Sequence, residues 1–320
     1  MLDLAGIIPA IVTPMTADGE IDEDAVGGYV EWLVGQGPIA LAVNVDTGEG
    51  PHLSRDERGR MLALVREAVA GRCRIVAGVG GPSTRDGVSN ARQAADAGAD
   101  ALLVFPIGAF LAQPLRLDVA LGYHEAIAAA SGLPLILFQL QPALGGAIYP
   151  TDVIDRLLAI PSVVAIKEAS FDPIRFTEMR ARVAAADQPV TLLTGNDNFI
   201  AESFLLGATG ALLGFATLGT RQHVELLAAV RRRDMDVVVD LGRTLQRLAD
   251  VIFAPPIGDY RARTKVALRL LGAIPGDAVR PPLLAIDADE VDRISRALTE
   301  AGLGAAGSNA ADARRGGAPG

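Results

Sequence analysis

Eight times over, a short run of β-branched and aliphatic residues gives way to a longer stretch with helical spacing of its apolar positions. No other feature of this 320-residue chain constrains its fold as tightly. The strand-like runs fall at 7–12, 39–45, 75–79, 101–105, 133–138, 163–167, 190–194 and 209–213. The first is closed by Thr13-Pro14, a turn at Asp18-Gly19, and Asp22, which caps a helix carrying Val26, Tyr29, Val30 and Leu33. Helical patterns then follow the other strands at 54–70, 84–98, 116–131, 151–159, 173–186, 197–206 and 220–232. Eight strands alternating with eight helices is the stoichiometry of an α/β fold of the (β/α)8 TIM-barrel type and fits a doubly wound sheet poorly.

Three further helical patterns, at 235–252, 259–271 and 287–301, have no strands between them and predict a C-terminal three-helix appendage. The expected division is a barrel over 1–232, a helical domain over 233–303 and a disordered tail over 304–320. That last stretch is rich in Gly and Ala and nearly free of large apolar residues, so it buries too little surface to order itself. Aromatic residues make up only 4% of the chain against 50% hydrophobic in all, so the core must be aliphatic, as barrel layers are.

The stretch Val163-Val164-Ala165-Ile166-Lys167-Glu168-Ala169-Ser170 places a lysine at the end of the sixth strand. Strict alternation puts Val163, Ala165 and Lys167 on one face and Val164 and Ile166 on the other. A lysine held at the mouth of a barrel reaches water, pairs with an acid, or loses its proton, because desolvation disfavours the ammonium form. Lowering its pKa from about 10.4 to about 7 takes roughly 4–5 kcal/mol of differential interaction. The product is a neutral amine able to condense with a ketone as a Schiff base.

In such barrels the active site lies at the C-terminal strand ends, which draws attention to every polar residue there. After the second strand comes Asn44-Val45-Asp46-Thr47-Gly48-Glu49-Gly50, a turn whose N–H groups and hydroxyl suit a small carboxylate, although the same residues favour turns on their own account. The fifth strand ends Phe138-Gln139-Leu140-Gln141, and the seventh ends Thr194-Gly195-Asn196-Asp197-Asn198. The amides Gln139, Asn196 and Asn198 are candidate substrate ligands, and Asp197 is equally suited to cap a helix. Gly78-Val79-Gly80-Gly81-Pro82-Ser83 lacks the spacing of a dinucleotide loop, and Pro82 removes a donor. His52, His124 and His223 form no metal-ligand spacing, and of the three only His52, just past the Asp46 turn, is placed to face the site. The single cysteine, Cys73, allows no internal disulfide and reads as an inert thiol at a strand start.

A net charge of −9 argues against nonspecific binding to nucleic acid or anionic membranes. With no basic leader and no uninterrupted apolar span, a cytoplasmic location is expected.

Taken together, Lys167-Glu168-Ala169-Ser170, Thr47-Gly48-Glu49, Ala77-Gly78-Val79-Gly80, Ala97-Gly98-Ala99-Asp100, Gly207-Ala208-Thr209-Gly210 and Val279-Arg280-Pro281-Pro282 resemble the dihydrodipicolinate synthase / N-acetylneuraminate lyase family. The resemblance covers about residues 6 to 302. It implies a barrel with C-terminal helices, commonly assembled as a homotetramer, whose sixth-strand lysine forms an imine with pyruvate or another 2-oxo acid. That imine on Lys167 stands in place of a bound cofactor, and no metal is implied. Thr47 and its turn, with Gly48, match the carboxylate site. Phe138, Gln139, Gly195, Asn196 and Leu212 complete the expected substrate-binding set.

Three departures bear on the substrate. Members with synthase or lyase activity usually carry a proton-relaying tyrosine where this chain has Phe138. The arginine expected after the fifth strand and the tyrosine expected after the fourth are absent from Gln141-Pro142-Ala143-Leu144 and Pro106-Ile107-Gly108-Ala109-Phe110. Asp46 stands where synthases place a hydroxyl residue, so the expectation is that Asp46 moves protons in the tyrosine's stead. The reading is a Schiff-base-forming lyase of 2-oxo acids, with a possible aldehyde partner, acting by aldol cleavage, condensation or dehydration. Its rivals are a catalytically silent barrel that binds a 2-oxo acid or a partner protein, and a phosphosugar aldolase holding phosphate at the Gly195 or Gly214 loops.

Overall fold

The computed structural model describes residues 2–111 and 114–304. The strands are β1 (Ile7–Pro9), β2 (Ala40–Val43), β3 (Arg74–Val79), β4 (Ala101–Val104), β5 (Leu135–Leu140), β6 (Val163–Ala169), β7 (Thr191–Thr194) and β8 (Gly210–Leu213). They form one parallel sheet in which each strand from β2 to β8 pairs with the next and β8 pairs with β1. The Ile39 N–H donates to the Ile7 carbonyl and the Ile11 N–H to the Ala42 carbonyl, each at 3.0 Å, which brings β1 against β2 and all but closes the barrel.

Between the strands run α1 (Glu23–Val34), α2 (Arg55–Val69), α3 (Thr84–Asp96), α4 (Leu117–Ser131), α5 (Thr151–Leu158), α6 (Pro173–Ala185), α7 (Ile200–Leu205) and α8 (Thr220–Arg232). Local chemistry starts several of them. Asp22 caps α1 by accepting from the Ala25 N–H at 3.2 Å, Ser54 and Glu57 form a reciprocal capping box on α2, and Asp172 caps α6 immediately before Pro173. Beyond the eighth unit lie α9 (Met235–Ile252), α10 (Tyr260–Leu270) and α11 (Ala288–Glu300). None of the described helices is long and apolar enough to cross a membrane. Most of the predicted tail, from residue 305 on, falls outside the described residues.

Alternation along the strands sorts the core into two layers. Ile8, Ala10, Ala42, Val76, Leu103, Ile136, Ala165, Leu193 and Leu212 fill the barrel interior, while Ile7, Leu41, Val43, Leu102, Leu137 and Ile166 face the helices. The inner layer is built of Ala, Val, Leu and Ile, with Phe138 its single buried aromatic residue among the described residues.

Strand β6 departs from strict alternation at one place. Leu135 is opposite Val163 and Ile136 is opposite Ala165, so Val164 is an extra residue in a bulge. Val163 therefore packs with the helix-facing layer, whereas Val164 and Ala165 both lie inside. The expectation that Val163 shares a face with Lys167 fails for this reason. Beyond the bulge the alternation resumes, and Lys167 points inward with Ala165 and Ala169.

Candidate active site

Lys167 sits opposite Phe138 on β5 and Leu193 on β7. Its Nζ lies 4.2 Å from the centre of the Phe138 ring, which stands edge-on to Phe105 with centroids 5.2 Å apart. The side chain passes over Gly195, where an added Cβ would lie 2.5 Å from Lys167 Cε and 2.8 Å from the Ala169 Cβ. Glycine at 195 is what leaves room for the lysine.

The cleft above the lysine is lined by Val45, Asp46, Thr47, Phe105, Phe138, Lys167, Gly195, Asp197 and Tyr260, among others. Burial brings the Lys167 pKa down to about 8, against the opposing pull of the Asp197 and Asp46 carboxylates. Asp197 shows the mirror effect. Burial pushes its pKa up to about 7, against the attraction of Lys167 and the Phe215 backbone N–H. Both groups are thus held near the point where a proton is exchanged at neutral pH.

Thr47 is buried beneath the same cleft. Gly214, just past β8, has its backbone packed so closely on the Thr47 hydroxyl that any Cβ there would collide with it. The N–H groups of Gly48, Glu49 and Gly50 fold back onto the carbonyls of Val45, Asp46 and Val45 at 3.0–3.1 Å. Those of Asp46 and Thr47 donate to no protein group among the described residues, which leaves two adjacent N–H donors and a hydroxyl for an anion.

The C-terminal helices clamp this turn from outside the barrel. The Tyr260 hydroxyl donates to Asp46 Oδ2 at 2.5 Å and also faces the Thr47 hydroxyl. Arg261 donates through Nη2 to Asp46 Oδ1 at 2.6 Å and through Nε to the Asp46 carbonyl at 3.0 Å. Burial, reinforced by the Asp46 charge, keeps the Tyr260 phenol protonated well above its ordinary range. Three residues after Asp46, Glu49 is fully buried in an ion pair with equally buried Lys265 and accepts from the Arg280 N–H at 3.0 Å. Arg263 ties α10 to its neighbours by donating to the carbonyls of Ile252, Ala254 and Pro256 and to Glu290.

Of the residues singled out from the sequence, Lys167, Asp46, Thr47, Phe138 and Gly195 are brought together at the cleft. Others are placed elsewhere. Gln139 follows Phe138 and so faces the helices, where its amide donates to Glu168 Oε1 at 3.2 Å and its Oε1 accepts from the Tyr149 N–H at 3.2 Å. Asn196 donates to Glu168 Oε2 at 2.8 Å and accepts from the Phe171 N–H at 2.7 Å. Leu212 is sealed in the barrel interior below the cleft. Gly48 spends its carbonyl on the Thr13 hydroxyl at 2.7 Å. Asn198 donates to the Phe171 carbonyl at 3.4 Å.

His52 sits 3.9 Å from Glu49, off the cleft, whereas His124 and His223 are buried, bonded to carbonyls one turn back and lowered to about 4 by desolvation. Burial likewise raises the Cys73 thiol to about 11. Among the described residues no three or more His, Cys, Asp or Glu side chains gather so as to hold a metal ion.

Sequence reasoning missed Tyr260 and Arg261, because nothing local to the helix at 259–271 marks residues whose partners lie more than 200 positions away. It left Asp197 open as a helix cap. In the structure Phe199 occupies the N-cap of α7, which frees Asp197 for the cleft.

The sequence matches the Dihydrodipicolinate synthetase family over residues 3–301. A 4-hydroxy-tetrahydrodipicolinate synthase of Acidothermus cellulolyticus is 34% identical over 299 residues, covering 93% of this chain and 92% of that one. Among solved structures, the chloride-inhibited dihydrodipicolinate synthase of Acinetobacter baumannii complexed with pyruvate is 29% identical, with a TM-score of 0.82 over 94% of this chain and all of that chain. The dihydrodipicolinate synthase of Bacteroides thetaiotaomicron is 28% identical, with a TM-score of 0.84 over 93% of this chain and 99% of that one.

Proposed function

The chain belongs to the dihydrodipicolinate synthetase family, and from that premise we propose that it is a class I lyase that processes pyruvate or another 2-oxo acid through an imine on Lys167. The observation that carries the reading is a lysine brought to about 8 by burial, beside a turn with two adjacent unspent N–H groups and the Thr47 hydroxyl. That turn holds the substrate carboxylate and so presents the C2 carbonyl to the amine.

Neutral Lys167 adds to C2, and loss of water leaves a protonated imine. In the condensing direction a base removes a C3 proton, and the electron pair left behind is delocalised into the imine as an enamine. C3 then attacks an aldehyde carbon, and the aldehyde oxygen takes up a proton as the C3–C4 bond forms. Water hydrolyses the new imine and releases Lys167. Cleavage runs the same steps backwards, and dehydration instead expels a hydroxyl from the carbon next to C3.

Proton transfer falls to the Asp46–Tyr260 pair. Tyr260 holds the transferable proton, Asp46 accepts from it, and the pair lines the cleft where Phe138 offers no hydroxyl. The covalent imine makes an external cofactor unnecessary for this chemistry. The homo-oligomer implied by the family resemblance would be read from the mass of the assembly in solution.

The test is borohydride reduction in the presence of pyruvate, followed by peptide mapping. A reduced pyruvate adduct on Lys167 is expected; absence of any adduct with pyruvate and longer 2-oxo acids would remove the basis of this reading.

A further inference from the structure

The cleft walls are largely apolar, with Phe105, Phe138, Phe171 and Phe253 joined by Leu140 and Leu144. One of these rings is held by a backbone in an unusual state. Phe171 has φ +61°, in the left-handed region that glycine enters freely and a bulky residue rarely does. Its N–H is fixed by Asn196 at 2.7 Å, and Asn196 is fixed in turn by Glu168 at 2.8 Å. Such conformations persist only where the surroundings over-determine them. Here the Gln139–Glu168–Asn196 network behind the barrel wall does so, and the outcome is a phenyl ring on the cleft.

The charges point the same way. Lys167 is consumed in forming the imine. Arg261 is engaged with Asp46 through two nitrogens and with the Gly258 carbonyl through the third. Lys167 apart, no cationic side chain lines the cleft among the described residues, while Asp46 and Asp197 both do. A second carboxylate on the substrate would meet no unengaged cation there, only Asp197, the Arg261-paired Asp46 and a phenyl wall. An uncharged ring would be buried against other rings.

We propose that this cleft selects a substrate whose far end is uncharged and aromatic: an aryl aldehyde condensing with pyruvate, or in reverse a 4-hydroxy-2-oxo acid carrying the aryl group on C4. The proposal rests on the imine reading above. In condensation the pyruvate enamine forms its C3–C4 bond to the aryl aldehyde carbon, the carbonyl oxygen takes a proton from Tyr260, and hydrolysis of the imine releases the product.

The experiment compares turnover of pyruvate with benzaldehyde, with succinic semialdehyde and with glyceraldehyde, in the intact protein and in Phe171→Gly, alongside borohydride trapping with pyruvate alone. A kcat/KM at least about tenfold higher for benzaldehyde than for the other two is expected, with that preference collapsing in Phe171→Gly. Equal or reversed preference overturns the proposal, and so does an adduct on Lys167 with no turnover of benzaldehyde; in either case the imine reading stands. Lack of any pyruvate adduct overturns the imine reading and this proposal with it.

Discussion

The Tyr260 hydroxyl and the Asp46 carboxylate lie 2.5 Å apart, joining the first residue of α10 to the turn after β2 across 214 positions of sequence. Replacing Tyr260 with Phe removes the proton and keeps the ring that stacks on Phe253 at 5.2 Å. Such a variant is expected to form the borohydride-trapped adduct on Lys167 while kcat falls about 10²–10⁴-fold. Exchange of the pyruvate methyl protons with deuterated water, followed by mass spectrometry, separates the two steps. Undiminished exchange and turnover in Tyr260→Phe would remove the residue from the relay.

Asp197 opposes the effect of burial on Lys167, so taking away its charge has a sign that follows directly. With Asp197→Asn the ammonium form loses a stabilising neighbour, and the Lys167 pKa falls below its value of about 8. Adduct formation, followed against pH by borohydride trapping, should then reach half its maximum at a lower pH than in the unaltered protein. The linkage to stability has the same origin. The folded protein holds the Lys167 proton less tightly than the unfolded chain, so this group makes stability rise with pH between about 8 and about 10.4. In Asp197→Asn that window extends further down. A trapping midpoint that stays put or rises would contradict this electrostatic account.

Gly195→Ala tests whether the lysine's position matters apart from its presence. The new methyl group would start 2.5 Å from Lys167 Cε, and the side chain must move aside. A displacement of this kind is expected to lower kcat/KM by about 100-fold, with the far-ultraviolet circular dichroism of the barrel unchanged. Full activity would mean that the reacting amine is not held where the structure places it.

Lys265 and Glu49 are both fully buried, and each compensates the charge of the other. Lys265→Met leaves an uncompensated carboxylate and should cost about 3–5 kcal/mol in chemical denaturation. Adding Glu49→Leu to it should recover part of that loss. If the single and double variants were equally unstable, the pair would not be acting through its charge.

Much of this was legible in the sequence because it is local. Strand and helix signals repeat every few residues, so the eight strands and eleven α-helices of the described residues stand close to where the pattern puts them. Lys167 was found because alternation beside a run of small and β-branched residues points it inward. The same rule, carried one residue further, excludes Gln139 and Glu168 from the cleft, since each follows an inward residue and the two are register partners. The bulge at Val164 was hidden, because it depends on how two strands are laid side by side. Tyr260, Arg261 and Lys265 were hidden too: buried polar side chains on a helix have no periodic signature until their partners are known.

The dependence of the Asp46 turn on α10 also orders events in time. A chain emerging during synthesis carries Lys167 and the whole barrel before Tyr260, Arg261 and Lys265 have been made. Until those residues arrive, the turn proposed to hold the carboxylate lacks its clamp and the cleft lacks its phenol. The nucleophile is made first and the relay last, so on this reading an incomplete chain can capture a 2-oxo acid poorly and turn it over hardly at all.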